Sequence, residues 1–308
     1  VALEQERQNY LAKKKRATLQ SLTVFAVTIV LVLALIIGEA EPPWIIGIGA
    51  LGTIIAVIFY SVVTGKFYDI YRLRYKQEYF ARATQAIAPG IVYQPTSYMP
   101  EAYFTGTGLN KSRIDRYSGQ DHFSGKVGDT TLAFSEIHAQ RKETTRDSKG
   151  HSRTRWVTVF RGIFLVADFH KHFQGHVLIE SDFAESAFGW LGRKLQNLGG
   201  DLVRLENPEF EKAFKVRGTD PVETRYLLTP TMQESLLEMR RFWGNNIGLS
   251  LKQNHLFIAI PNNTNWFECN HATAATDPQQ LKLFASQLIA VLNIVNVLQL
   301  NTRLWTRE

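Results

Sequence analysis

The residues best suited to chemistry are an aspartate and three histidines in one short run. Asp168, His170, His172 and His176 lie in the sequence Asp-Phe-His-Lys-His-Phe-Gln-Gly-His. On a β-strand alternate side chains share a face, so Asp168, His170 and His172 would point the same way. A carboxylate with neutral imidazoles can bind zinc or another borderline metal. These three residues are the metal candidates, and they would serve a membrane-anchored metal-assisted hydrolase.

The competing interpretation of the same run is an exposed strand end that enters a turn at Gln174-Gly175. A metal site needs a convergent set of ligands, and the remaining histidines, such as His122, His138 and His255, are scattered along the chain. The sequence therefore assigns no catalytic residue, no cofactor and no metal ligand. Asp168, His170 and His172 stay as the candidates on which the hydrolase alternative depends.

Other catalytic signatures are absent from the sequence. There is no Walker A loop, no dinucleotide-binding glycine fingerprint, no Gly-x-Ser-x-Gly elbow and no His-Glu-x-x-His helix. The single cysteine, Cys269, excludes an internal disulfide and agrees with a reducing compartment. Basic side chains offer a different function, the binding of an acidic lipid or partner, with structural ion pairing as the alternative. The arginines considered for it are Arg161, Arg225, Arg240 and Arg241.

Two uncharged apolar runs, residues 22–37 and 44–63, must hold the rest of the chain at a membrane. Each is close to the roughly 20 residues that cross a bilayer core as a helix. An isolated apolar run in lipid must be helical, because only a helix satisfies its own backbone. We therefore predict a transmembrane helical hairpin over residues 21–64. A signal peptide followed by one anchor is disfavoured, because no small-residue cleavage site follows Ile37.

The charged residues beside the hairpin predict its orientation in the membrane. Basic residues cluster at 13–16 and again at 66–82, while the short break between the runs holds two glutamates and no basic residue. Positive flanks stay on the cytoplasmic side, so both termini should be cytoplasmic, in a multi-pass membrane protein. The net charge of +7 then reflects topology and attraction to anionic headgroups of the bilayer. No nucleic-acid-binding motif accompanies it.

A stalk should follow the second span. No helix breaker occurs until Pro89-Gly90, so the helix should continue to about residue 87. Phe67, Tyr71, Tyr75 and Tyr79 recur at a spacing of four and form one aromatic stripe. The predicted organisation is a basic N-terminal segment (1–20), the hairpin (21–64), a juxtamembrane stalk helix (65–90) and a cytoplasmic domain (91–308).

The domain reads as α+β. Residues 91–119 indicate an irregular connection, and alternation then predicts an antiparallel meander through strands at 121–127, 130–140, 156–169 and 176–180. A short strand at 202–206 and a second hairpin, 247–252 with 256–260, complete the β structure. A helix is predicted over 182–198. Further helix starts, each a capping residue before proline, are expected at Asn207, Asp220, Thr229 and Asp277.

The last helix, predicted from residue 278 to 304, carries an apolar seam. Amides within it disfavour a third membrane span. Packing on the sheet is the preferred alternative, and self-association through the seam is the other. This seam, the aromatic stripe and the glycines of the second span are surfaces through which the chain could form a homo-oligomer, which should be held mainly through the membrane and the stalk. The seam residues named as interaction candidates, beside Phe67, Tyr71, Tyr75 and Tyr79, are Leu288, Val291, Val295 and Leu298.

Residues 205–230, with Phe-Arg-Gly-Ile-Phe at 160–164 and Leu-Phe-Ile-Ala-Ile-Pro at 256–261, resemble the bacterial membrane protein family known as domain of unknown function 3137. The resemblance extends from about residue 93 to 268, with the hairpin before it. It implies an inner-membrane protein with a cytoplasmic α+β domain and supplies no catalytic residues. The function expected is a membrane-tethered binding or scaffold module for a cytoplasmic or membrane protein partner.

Overall fold

The computed structural model describes residues 2–39, 41–110, 112–146, 150, 152–181 and 200–300. It is an α+β protein that divides into two compact units. The first comprises Val1–Tyr79 with Glu268–Leu281, and the second Phe80–Phe267 with Lys282–Glu308. Residues 268–281, late in the chain, thus belong to the helical unit that begins at the N-terminus. The helix predicted at 182–198 lies outside the described residues.

Two long antiparallel helices, α1 (Ala2–Ile37) and α2 (Pro42–Tyr75), form the body of the first unit. They pack closely where Gly52 faces Thr28, since a Cβ atom at Gly52 would collide with the threonine side chain. Prolines at the first turn of α2 cost little, because those N–H groups have no intrahelical acceptor. The helix continues through a π-helical turn, Lys76–Phe80, into α3 (Ala81–Ile87). The prediction that the second helix continues to about residue 87 is therefore confirmed.

Within the described residues, three helices are long and apolar enough to cross a membrane, judged by length and composition. They are Ala2–Ile37, Pro42–Ile87 and Pro278–Val297. In the first two only 6% of the apolar window is buried in the protein, against 39% in the third. Apolar surface without a protein cover needs another apolar environment. The first two helices therefore indicate a membrane anchor, and the third is the weaker candidate.

The second unit is built on one antiparallel sheet in the order β1-β2-β3-β4-β9-β8-β5-β7-β6. Its strands are Ile91–Gln94, Arg116–Val127, Thr130–Arg146, Ser152–Asp168, His176–Ser181, Asp201–Leu202, Phe214–Gly218, Gly248–Lys252 and His255–Pro261, numbered β1 to β9. Its helices after α3 are α4 (Glu101–Gly106), α5 (Pro208–Ala213), α6 (Pro221–Leu227), α7 (Pro230–Trp243), α8 (Pro278–Leu292, in this unit from Lys282) and α9 (Ile294–Val297).

Three predicted details of the sheet are wrong. Residues 91–119 are not all irregular, since they include β1, α4 and the start of β2. Strand β5 does not extend the meander beside β4. The hairpin β8-β9 inserts between them, with β9 pairing β4 and β8 pairing β5. The strand expected at 202–206 is reduced to Asp201–Leu202.

The predicted helix starts are confirmed, and the side chains explain them. Asn207 accepts from the amides of Glu209 and Phe210, Asp220 from those of Val222 and Glu223, and Thr229 from that of Met232. Asp277 Oδ1 likewise accepts from the Gln279 amide at 2.9 Å. Each cap satisfies backbone donors that the first turn of a helix leaves free.

Aromatic side chains form the core on one face of the sheet. Tyr93, Phe123 and Phe134 lie directly opposite one another on β1, β2 and β3, so their rings stack at 4.5 and 4.6 Å between centroids. Phe284 of α8 packs here too, 4.1 Å from the ring of Phe80. Phe267 completes the cluster. The opposite face packs under α4, where Phe104 contacts Phe160 and Phe164.

Candidate binding site

The predicted metal candidates do not converge. Strand β4 ends at Asp168, and His170 has a left-handed backbone with φ of 52°, so the alternation that would align the three side chains is lost. His170 Nδ1 lies 3.8 Å from Asp168 Oδ2, whereas His172 Nδ1 lies 3.3 Å from the side-chain nitrogen Nδ2 of Asn254. In the described part of the chain, no three His, Cys, Asp or Glu residues are grouped to hold a metal.

His176, the last histidine of the run, supports local structure instead. Its Nε2 atom lies 2.9 Å from the Thr107 carbonyl oxygen and 3.0 Å from Ser250 Oγ. The Ser250 hydroxyl also donates to the Thr107 carbonyl, at 2.8 Å. These bonds tie β5 and β8 to the loop after α4. Because β4 ends at Asp168, the shared strand face expected for Asp168, His170 and His172 is wrong, and the hydrolase alternative loses its geometric basis.

A pocket opens on the sheet face where the aromatic cluster stops. We call it the sheet pocket; it has a volume of about 230 Å³. Strands β2, β3 and β4 form its floor, and the loop after β9 forms one wall. Ser118, His138 and Arg161 lie directly opposite one another on the three strands, so their side chains share this face. The other lining residues are Gly119, Gln120, Glu136, Ile137, Gly162, Thr264 and Asn265.

The inner end of the sheet pocket is negative. Glu136 is 8% exposed, and its two carboxylate oxygens accept from the Trp266 amide and, at 3.1 Å, from Gln120 Nε2. A buried carboxylate is tolerated when such donors satisfy its oxygens. These bonds hold β2, β3 and the loop after β9 together, so Glu136 gives the pocket a fixed wall.

The outer end of the sheet pocket is positive. The Arg161 guanidinium donates to Asn265 Oδ1 at 2.6 Å, and His138 Nε2 lies 3.0 Å from Thr158 Oγ1. Burial lowers the pKa of His138, and the charges of Arg161 and Arg116 lower it further. The imidazole is therefore neutral near pH 7 and can bind a ligand as donor or acceptor.

Beyond the pocket, β3 and β4 continue as a hairpin that we call the arm, residues 141–146 and 152–157. The two strands pair to the end, from Arg141 opposite Val157 to Arg146 opposite Ser152. At its base the Arg116 guanidinium lies 4.2 Å from the centre of the Trp156 ring. One carboxylate, Glu143, pairs with Arg141 and Arg155. The basic residues of the arm are Arg141, Lys142, Arg146, Arg153 and Arg155.

Only part of this site is visible in the sequence. Arg161, one of the four arginines that could bind an acidic ligand, lines the sheet pocket. Arg241 instead pairs with Glu209 at 2.7 Å, and Arg225 donates to the carbonyl oxygens of Pro221 and Arg204. Arg240 lies over the Phe214 ring at 5.8 Å. Neither His138 nor Arg116 was expected here, although alternation along the predicted strands could have placed His138 on one face with Glu136.

The aromatic stripe of the predicted stalk lies in the first unit. Tyr71 and Tyr75 are fully buried there, with ring centroids 5.9 Å apart, and Tyr79 stacks on Tyr75 at 5.2 Å. Tyr71 also stacks on Tyr10 of α1 at 6.4 Å. Phe67 is half-buried below Lys13, whose Nζ lies 5.4 Å from the ring centre. The tyrosines thus pack α2 on α1, and a homo-oligomer formed through the stripe stays a prediction.

Residues 268–281 cover the other side of this tyrosine cluster. Glu268 accepts from Lys76 at 3.2 Å and from Arg72 at 3.3 Å, while Glu4 accepts from the Ala275 amide at 2.8 Å. Arg7 donates to the His271 carbonyl oxygen at 3.2 Å. A segment distant in sequence therefore clamps the bases of both long helices.

The seam of the last helix is buried within the second unit. Leu288, Val291 and Val295 are fully buried, and Leu298 is nearly so. The helix is interrupted at Asn293, between α8 and α9, and its predicted end at 301–304 lies outside the described residues. The preferred expectation, that this helix packs on its own domain, agrees with that burial.

Comparison with known proteins adds a family resemblance. Residues 158–300, just under half of the chain, match the model of a family described as "Protein of unknown function (DUF3137)". The match begins later than the resemblance seen in the sequence and continues through α8 and α9. No curated protein matches the chain.

One solved structure that matches is the crystal structure of the mycobacterial trehalose monomycolate transport factor A, TtfA. It is 10% identical, with 72% of this chain and 97% of that chain covered, at a TM-score of 0.33. So low a score and identity support no inference about fold or function. What the comparisons do establish is that the chain resembles the DUF3137 family over residues 158–300.

Proposed function

We propose that this protein is a membrane-tethered binding module of the bacterial inner membrane. The observation that carries the proposal is the sheet pocket with its basic arm, in a chain whose two apolar helices indicate a membrane anchor. The pocket offers fixed donors and charges at its walls. Ser118 lies opposite His138, but its hydroxyl faces the His138 carbonyl oxygen at 3.5 Å and the imidazole contacts Thr158 instead, which favours binding over nucleophilic turnover.

In this proposal both termini and the second unit are cytoplasmic, because the basic flanks of the hairpin lie on that side. A reporter that is active only in the periplasm tests the topology. Fused after Glu308 it should be silent, and inserted in the short turn at residues 39–43 it should be active. The reverse pattern would contradict the orientation, and activity at neither position would contradict the two-span hairpin.

Site-specific photocrosslinking in native membranes tests the binding function. A benzophenone side chain placed at Thr144 or Thr154, which face each other at 3.2 Å on the exposed arm, should form an adduct of defined mass. The control position is Val222 of α6, which is 76% exposed but lies outside the pocket and the arm. Equal yields at Val222, or no adduct at either arm position, would refute the assignment.

The scaffold form of this function includes self-association, for which the sequence pointed to the membrane and stalk helices. Because Tyr71 and Tyr75 pack inside one chain, the proposal uses the exposed faces of α1 and α2 as the contact between copies. Native mass measurement in lipid discs should give more than one copy. A single copy at every accessible concentration would leave the protein a monomeric binding module.

A further inference from the structure

We propose that the sheet pocket binds a phosphate group, either free or as part of a lipid headgroup, through Arg161, His138 and Arg116. This inference rests on the proposed binding function and names the ligand chemistry of the same site. The volume of about 230 Å³ exceeds that of a lone water, so the pocket has room for a phosphate and part of the group that carries it.

Two arginines supply positive charge at this end: Arg161 lines the pocket, and Arg116 lies beside it at the base of the arm. Arg116 on β2 and Arg161 on β4 lie on either side of His138 on β3, and each is close enough to His138 to lower its pKa. Among the described residues neither arginine forms an ion pair within 4.0 Å. Two guanidinium groups on one face without a carboxylate partner attract an anion, and the guanidinium fork matches two phosphate oxygens at once.

The side chains of Arg161 and His138 are already held in place by neighbouring residues. Arg161 is held by Asn265 Oδ1 at 2.6 Å, which engages Nη2 and leaves its other N–H donors for a ligand. His138 is held through Nε2 by Thr158 at 3.0 Å. Within the described part of the chain, His138 Nδ1 has no hydrogen-bond partner. Donors held in place before binding lose little side-chain entropy when the anion arrives.

Glu136 determines where in the pocket an anion can bind. Its carboxylate is fixed at the inner end by the Trp266 amide and Gln120 Nε2, and it repels negative charge there. The phosphate must therefore lie at the outer end, against Arg161 and His138. A hydroxyl or ammonium group of the same ligand would face Glu136, which suits a headgroup that carries donors beside its phosphate.

The full chain in neutral detergent micelles, with its histidine rings labelled for NMR, provides the test. Inorganic phosphate at constant ionic strength should raise the pKa of His138, because the bound anion offsets the field of the two arginines. His122 is the internal control, since burial alone lowers the pKa of its ring. Acetate is the matched carboxylate probe, and a water-soluble short-chain phosphatidylglycerol is the headgroup probe.

Arg161→Gln should weaken phosphate binding by about tenfold, as expected for the loss of a charged hydrogen-bond donor. The same change should raise the pKa of His138 before any ligand is added. Arg161→Lys keeps the charge without the fork and should bind with intermediate affinity. Arg217→Gln on β7, outside the pocket, is the matched control and should bind as the wild type does.

Saturable shifts with both phosphate probes support a general phosphate site, and shifts with the lipid probe alone identify the headgroup as the source. Equal binding of acetate, no saturable shift of His138, or undiminished affinity in Arg161→Gln would overturn the inference. Crosslinking from the arm that persists without phosphate binding would reject this ligand while leaving the binding function intact. Loss of both would reject the two together.

Discussion

Replacing Phe284 by alanine tests whether the last helix belongs to the folded domain. The ring is 1% exposed and packs against Phe80, Phe123 and Phe267. A phenylalanine buries roughly 150–250 Å², which at about 25 cal/mol per Å² gives about 4–6 kcal/mol as an upper value. Core Phe→Ala changes cost about 3–5 kcal/mol, so we expect a loss of about 4 kcal/mol.

Leu283, the preceding residue of α8, is the matched control because its side chain is 55% exposed. Leu283→Ala should change stability by no more than about 0.5 kcal/mol. In a domain of this size 1 kcal/mol shifts the melting temperature by roughly 2–4 °C, so Phe284→Ala should lower it by about 8–16 °C. Thermal unfolding of the full chain in detergent, followed by near-UV circular dichroism, measures both variants.

Similar small shifts for both variants would refute this packing. A larger effect of Leu283→Ala, accompanied by a change in native mass, would instead place α8 in a contact between copies. Either result would reopen the choice between domain packing and self-association that the sequence left undecided.

Further predictions concern the clamp on the first unit, its cysteine and the sheet. Hydrogen bonds from Arg7 and the Ala275 amide lower the pKa of Glu4 to about 2, from an ordinary value of 4.5, so its contribution to stability is present above pH 4.5 and is lost as pH falls toward 2. The protection factor of the Ala275 amide, which is its exchange relative to the intrinsic rate at each pH, should fall as pH falls over that range, and Glu4→Gln should remove the dependence. Burial raises the pKa of the Cys269 thiol to about 12, so iodoacetamide at pH 8 should modify it only after unfolding; rapid labelling of the native chain would contradict its placement. Gly162 has φ of 150°, and a Cβ atom there would collide with the Ile260 carbonyl oxygen, so Gly162→Ala should cost about 2 kcal/mol or more in a thermal melt. Gly106→Ala, where nothing lies within 4 Å of the added atom, is its control and should be close to neutral.

Local signals in the sequence carried much of the fold. The caps at Asn207, Asp220 and Thr229 act within three residues of their own position, and the hairpin turn at Gly128-Asp129 joins adjacent strands. Such features depend on short-range backbone geometry, so they are visible before any tertiary contact exists. The apolar runs are equally local, because length and composition alone make a helix fit to cross a membrane.

Long-range pairings could not be predicted in the same way. Strand β1 is four residues long and its partner strand β2 does not follow it directly in the sequence, so β1 is recognisable only through its pairing with β2. The insertion of β8-β9 between β4 and β5 joins residues far apart in the chain. The expectation that Asp168, His170 and His172 share one strand face is wrong for a related reason. It assumed that β4 continued past Asp168, whereas the left-handed backbone at His170 ends the alternation.

The sequence by itself determined the α+β class and the two apolar helices, because composition, period and caps are local properties, and its residue runs carry the resemblance to the DUF3137 family. Only the tertiary structure brought Arg116, His138 and Arg161 from three strands to one face, above a carboxylate fixed by the loop after β9. It likewise placed residues 268–281 against α1 and α2. Strand register and loop closure determine these contacts, and both depend on which distant surfaces bury one another.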